Sequence, residues 1–249
     1  MQAVTQPNME GSMHISPRPI ERDPIPGMAA SFDGAMPWSR PARTALPLAP
    51  RPIALAVAKE ATIVEQDDEA KYCFLVVTGC VRTVRTMTDG RRQIGAFLFA
   101  GDVYGWDVTE THDFGIEAVT PSLLHRFPRE ELQEFADAHS NFGRRMRELS
   151  ARQARASRDH MILLGRKTAA ERIASFLVAL AARLRLDEGA WIAPPMNRSD
   201  IADYLGMTIE TVCRQLKQLR QDGTISANGT KFLIHDRRSL AGGAMAVLH

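Results

Sequence analysis

Glu210, Cys213, Arg214 and Lys217 recur at spacings of three, one and three, which puts all four on one face of a helix. These residue types suit the reading of a base edge: an arginine can donate to both O6 and N7 of guanine, and a glutamate can accept from N4 of cytosine. Glu210, Cys213 and Arg214 are therefore the candidate base readers. Ile209, Val212, Leu216 and Leu219 form the opposite stripe, apolar and expected to dock on the rest of the domain. A solvated helix with an ordinary Glu–Arg pair four residues apart has the same spacing, so the neighbouring elements must decide. Thr208 stands where an N-cap would open this helix and Gly223 where it would stop. Upstream, Ser199 reads as the N-cap of a shorter helix over 200–205 that ends at Gly206. A short helix, a tight glycine turn and a longer helix make residues 199–222 a helix-turn-helix.

Past Gly223, the runs 224–226 and Lys231–Ile234 flank Asn228-Gly229, a hairpin signal, so a two-stranded wing is expected behind the second helix. Arg198, Ser199, Thr208, Thr211, Lys217 and Lys231 are candidate contacts to the phosphate backbone, with Arg220 and Arg237 beside them. Such contacts position a protein on a duplex without reading its sequence. The window 197–222 holds four basic and four acidic residues, which argues against strong non-specific binding by this segment alone.

A single reading helix covers only a few base pairs, so a second copy is expected. The segment 139–165 supplies a seam for one. Phe142, Met146, Leu149, Gln153, Ala156, His160 and Leu163 alternate spacings of four and three, a heptad stripe that suits an identical partner helix. An intramolecular helix contact is the alternative. Gly165 reads as the break, followed by a helix from Thr168 to about Leu186 with Ile173, Phe176, Leu177, Leu180 and Leu184 on one face. Between Arg144 and Arg172 lie nine basic and three acidic residues, either a surface for nucleic acid or a solvated helical face.

Residues 61–127 read as short β-type runs: Tyr72–Thr78, then 81–87 with Val81, Thr83, Arg85 and Met87 on one face, then 93–99, 114–119 and 123–127. Asp89-Gly90 signals a two-residue type I′ hairpin. Runs at this spacing suggest a small antiparallel barrel or roll. Ten of the fourteen prolines fall in the first 52 residues, which carry no sustained apolar periodicity. The division expected is a Pro-rich extension at 1–50, a roll at 51–138, a dimerisation helix at 139–166 and a winged helix-turn-helix at 167–249.

Several chemistries find no support. No G-x-S-x-G, Walker or dinucleotide motif occurs, and His112 and His125 lack the spacing of a cupin metal site, so no catalytic residue, metal or cofactor is expected. The three cysteines form no C-x-x-C pair, no apolar run is long enough to cross a membrane and no signal sequence opens the chain, which points to the cytoplasm.

Taken with these elements, Gly79-Cys-Val-Arg82, Asp89-Gly-Arg-Arg-Gln-Ile94, Gly101-Asp102 and Glu210-Thr-Val-Cys-Arg214 resemble the cyclic-AMP receptor/FNR superfamily of bacterial transcription regulators, most of all its FixK branch, over about residues 55–238. The resemblance implies an α+β fold: an N-terminal antiparallel β-roll (a double-stranded β-helix, cyclic-nucleotide-binding-like), a long dimerisation helix and a C-terminal winged helix-turn-helix. It further implies a homodimer on double-stranded DNA at a dyad related to TTGAT-n4-ATCAA, contact with RNA polymerase, and activation of low-oxygen genes. Glu210 and Arg214 match the family's base-reading positions, whereas Cys213 stands where the FNR-type motif usually has serine. The Arg-Ser or Arg-Thr pair that holds cyclic AMP is missing after Gly101-Asp102, and residues 1–72 contain no cysteine for an iron–sulfur cluster. An unidentified small molecule or haem in the roll is the alternative mode of control, with His112 or His125 as axial ligand. Cys213 is the candidate redox switch: an exposed thiolate near fixed positive charge oxidises readily, and an oxyacid there would set negative charge against phosphate. Its alternative is a small contact residue without redox meaning.

Overall fold

Eight short strands open the computed structural model, which describes residues 50–106, 110–237 and 240. They are β1 (Ile53–Val57), β2 (Thr62–Val64), β3 (Tyr72–Thr78), β4 (Cys80–Thr86), β5 (Arg92–Phe99), β6 (Val103–Tyr104), β7 (Gly115–Ala118) and β8 (Ser122–Pro128). The Pro-rich extension read over residues 1–50 lies, Pro50 apart, outside the described residues.

The strands pair antiparallel in two sheets, ordered β1-β8-β3-β6 and β2-β7-β4-β5. Val64, Phe74, Val76, Val81, Leu98, Ile116 and Leu124 pack together as the core of this roll. β3 passes into β4 at Gly79, with φ at 89°, where a β-carbon would lie 2.2 Å from Ser122 Oγ, so only glycine fits.

Two local expectations change. The hairpin at Asp89-Gly90 is not a two-residue type I′ turn, because only Gly90 has positive φ. Gly90 N–H donates to Met87 O and Met87 N–H to Arg91 O, a three-residue loop whose glycine takes the left-handed position. The alternation along β4 is interrupted by a bulge between Thr83 and Val84. Val81 and Val84 both enter the core as a result, and Arg82, on a face that periodicity left open, is buried as well.

Pro128 caps α1 (Arg129–Ala138), and His139 separates it from α2 (Ser140–Arg166). α2 runs through Gly165 instead of breaking there. The break falls at Lys167, which is extended, and at Thr168, whose capping box with Glu171 starts α3 (Ala169–Arg183). β9 (Trp191–Ile192), α4 (Arg198–Leu205), α5 (Ile209–Gln221), β10 (Ile225–Asn228) and β11 (Lys231–Ile234) complete the order. The wing has three strands, β10-β11-β9, not two. At two residues, β9 is too short to show a period. Its ribbon turns at Gly229 and Thr230, one residue later than the Asn-Gly signal placed it.

The heptad stripe of α2 faces its own chain. Met146, Phe142 and Leu149 pack with Leu75, Val103 and Phe127 of the roll, and Gln153 Nε2 donates to Val103 O. Leu163 leans on the C-terminal core, and the His160 ring stacks on Tyr204 at 4.2 Å. Of the seven, only Gln153 and Ala156 are exposed. Within one chain, Met146 is buried, Phe142, Leu149, His160 and Leu163 are partly buried, and Ala156 stays exposed. Roughly opposite on the helix, at 3.6 residues per turn, Ala151, Ala154, Arg158, Met161 and Gly165 repeat at three, four, three and four, and all are exposed. Met161 is 66% exposed and Ile162 beside it 43%. The basic residues Arg144, Arg145, Arg147, Arg152, Arg155 and Arg158 are exposed too, as both readings of that segment require.

Candidate nucleic-acid interface

Asn197, not Ser199, caps α4: its side chain accepts from Asp200 N–H, and the Asp200 carboxylate takes Asn197 N–H in return. Ser199 is exposed on the first turn of α4. The helix ends at Gly206 in the left-handed region, φ 60° and ψ 48°, which turns the chain within two residues into the next helix. Thr208 caps α5 as its sequence position suggests, accepting from Thr211 N–H at 3.3 Å.

Val212 and Leu216 bury the inner face of α5, and Leu219 packs beside them, in a cluster with Ile201, Ala202, Leu205, Ile225, Phe232 and the inner face of α3. Ile209 does not join them; at the first position of the helix it is 43% exposed. Glu210, Cys213, Arg214 and Lys217 are all exposed on the outer face. The Glu210 carboxyl is held below the usual carboxylate range by its own backbone amide and by the Thr208 hydroxyl. Arg214 Nη2 lies 3.5 Å from Thr211 Oγ1, so the guanidinium has one weak tie and remains available for a partner.

The candidate phosphate contacts divide. Lys217 and Arg220 are exposed on α5 and Lys231 at the start of β11, while Arg198 lies 5.2 Å over the Phe232 ring and leans on the wing. Arg237 is engaged elsewhere, donating from Nη1 to Leu186 O and from Nη2 to Asp187 O. Two of the four acids in the helix-turn-helix window face away from α5's outer stripe: Asp200 is buried against the roll, and burial raises the half-buried Asp203 carboxyl, with Arg92 acting against the shift. The outer face of the motif is therefore more basic than its composition.

Sequence reasoning missed the residues that seat this head. Arg172 donates to Leu164 O and Lys167 O at the end of α2, and to Leu205 O and Gly206 O at the end of α4. It thus satisfies carbonyls that two helix ends leave open. Arg183 pairs with Asp102 of the roll. Cys80 and Val119 of the roll lie in the same apolar cluster as α3, α4 and α5. Burial pushes the Cys80 thiol up to about 12, with Asp200 and Asp102 nearby; Cys73 is buried as well, and Cys213 is exposed. Among the described residues no cluster of three His, Cys, Asp or Glu side chains could hold a metal, and no helix is long and apolar enough to cross a membrane.

Residues 171–242 match the model of the Crp-like helix-turn-helix domain, and residues 55–139 that of the cyclic nucleotide-binding domain. The nitrogen fixation regulation protein FixK of Azorhizobium caulinodans is 40% identical over 187 residues, 74% of this chain and 75% of that protein. This chain belongs to the CRP/FNR family of transcription regulators. Within the CRP/FNR family it is FixK-like. The structure of FixK2 from Bradyrhizobium japonicum superposes with a TM-score of 0.72 at 38% identity, covering 77% of this chain and 96% of that one. The transcriptional activator protein FnrL of Cereibacter sphaeroides is 36% identical over 179 residues, 70% of this chain and 72% of that protein. The β-roll, central helices and winged helix-turn-helix are the family's fold.

Proposed function

We propose that this CRP/FNR-type DNA-binding transcription activator works as a homodimer at a dyad related to TTGAT-n4-ATCAA, serves low-oxygen genes through RNA polymerase, and needs neither cyclic AMP nor an iron–sulfur cluster. The observation that carries the reading is the outer stripe of α5. Glu210, Cys213 and Arg214 stand exposed on the turn and a half next to its N-terminus, directly opposite Val212 and Leu216. Glu210 and Arg214 read bases, and Cys213 meets the adjoining pair. Arg198, Ser199, Thr208, Thr211, Lys217 and Lys231 hold phosphates on either side. The exposed stripe of α2 with Ala151, Ala154, Met161, Ile162 and Gly165 supports the second copy, since small and apolar residues let two helices approach. The FixK and FnrL relatives, named for nitrogen fixation regulation and for activation, support the regulatory setting. Selection from random duplexes tests it: TTGAT and ATCAA half-sites in dyad arrangement are the expected product, and enrichment of no dyad would sink the reading.

Cys213 adds a redox component, favoured by its exposure between Glu210 and Arg214. Its thiolate attacks hydrogen peroxide, breaking the O–O bond to give sulfenic acid and hydroxide, and a second equivalent gives sulfinic acid and water, the sulfinic acid then ionising to sulfinate. The added charge then opposes phosphate. Peroxide-treated protein is expected to bind its operator about tenfold more weakly, on the order of removing one polar interaction per half-site, while Cys213→Ser holds its affinity. Equal losses in both proteins would remove this role.

A further inference from the structure

We propose that Arg82 is a positioning residue for DNA recognition: by gripping Asp200 it fixes the angle of the reading head on the roll, and with it the half-site spacing that a dimer accepts. This rests on the dyad-reading function above.

Arg82 lies on β4 with its side chain 4% exposed, and Asp200 on α4 is as deeply buried. Arg82 Nη1 donates to Asp200 Oδ1 at 2.8 Å, Nη2 to Glu60 at 2.6 Å and Nε to Glu117 at 2.8 Å. Glu60 and Glu117 both belong to the roll, so the guanidinium is held there and presents its remaining edge to the head. Arg92 also pairs with Glu117. On the other side, Asp200 uses Oδ2 for the cap of α4 and Oδ1 for Arg82. One carboxylate thus joins the start of the helix-turn-helix to the roll.

One turn further along α4, Tyr204 sits against Phe97 of the roll at 5.3 Å, His160 of α2 at 4.2 Å and Phe176 of α3 at 5.9 Å. Gln93 Nε2 donates to Tyr204 O at 3.3 Å. Two attachments a turn apart fix the rotation of α4 as well as its place. α5 shares a core with α4, so the outer stripe moves as α4 moves. Covering apolar surface would not require an ion pair, and well-packed apolar residues would serve stability as well or better. A buried, directional pair serves geometry. The lever is long enough to matter: a tilt of roughly 10° over the 20 Å or so of α5 shifts the reading residues by about one base-pair step.

Binding of the full-length protein to a set of operators that differ only in spacer length tests the inference. The proteins are wild type, Arg82→Met, Asp200→Asn and the double variant, each checked for folding by thermal melting. Asp200→Asn keeps an acceptor for the α4 cap and loses the charge, so it carries the test if Arg82→Met does not fold. Wild type is expected to prefer its best spacer over spacers one pair longer or shorter on the order of 100-fold, the effect of misplacing base contacts in one half-site. Asp200→Asn is expected to narrow that ratio to less than about tenfold, and the double variant to match the singles. A general loss of stability would lower affinity at every spacer alike and leave the ratio unchanged. A folded Asp200→Asn with the wild-type spacer profile overturns the role of Arg82 and leaves the DNA reading intact. Wild type that prefers no dyad at any spacer overturns both.

Discussion

Arg214→Ala is expected to lower affinity for the selected operator by about 30-fold to 10⁴-fold, with little change on unrelated duplex. Each bidentate arginine–guanine contact discriminates by roughly 1–3 kcal/mol, and a dyad contains two of them. The size of the effect follows from the exposure of the guanidinium. Its one tie among the described residues is the 3.5 Å approach to Thr211 Oγ1, so truncation removes an intermolecular contact and leaves the fold of α5 intact. Binding measured against operators altered one base pair at a time gives the decisive readout. The variant should become indifferent to the pair that Arg214 reads while keeping its preferences elsewhere. Lys217→Ala is the contrast: taking a cation away from phosphate weakens all duplexes alike and reduces the salt dependence by about one counterion per half-site. Arg214→Ala with wild-type discrimination at every position would mean that α5 does not read bases.

The second large effect concerns assembly. Ile162→Glu is expected to leave a folded monomer, with operator affinity down by more than roughly 10³-fold, because one head alone contacts a single half-site. Ile162 is 43% exposed in the single chain, and Met161 next to it 66%. A charge there costs the monomer little, yet two copies would bring two carboxylates and an apolar stripe together. Met146→Ala should behave in the opposite way. Met146 is buried against Leu75 and Val103, so its truncation should cost about 2–5 kcal/mol of folding stability and leave the monomer–dimer equilibrium unchanged in the folded fraction. Sedimentation of both variants separates the two faces of α2. A dimeric Ile162→Glu protein would return the interface to the other face of the helix.

These two faces show where sequence patterns reach their limit. The heptad run from Phe142 to Leu163 marked a stripe whose apolar residues, Ala156 apart, lean on the roll and the C-terminal core of the same chain. Periodicity reports that a face is buried, and nothing in a spacing of three and four says whether the roll or another copy covers it. The second stripe, Ala151 to Gly165, was hidden because alanine and glycine add little apolar signal. The helix-turn-helix was more legible. Gly206 and Gly223 act through their own backbone conformation and Thr208 through a hydroxyl that reaches three residues along, so their roles are local and readable. Ser199 lost the cap to Asn197 because both suit it, and α4 begins two residues earlier, where Asn197 accepts from Asp200 N–H.

By itself, the sequence determined five of the roll's eight strands, the long helix, the reading helix and the family, since each follows from local periodicity, turn chemistry or short motifs. It also determined that Glu210, Cys213 and Arg214 share a face. Only the tertiary structure decided what seats that face. Arg82 and Asp200 meet across 118 residues of chain, and Tyr204 is enclosed by rings from β5, α2 and α3. A charged residue in a strand and an aspartate in a helical first turn look like surface residues until the fold brings them together. Burial then makes them depend on one another, because removing one partner leaves the other charge less compensated away from water.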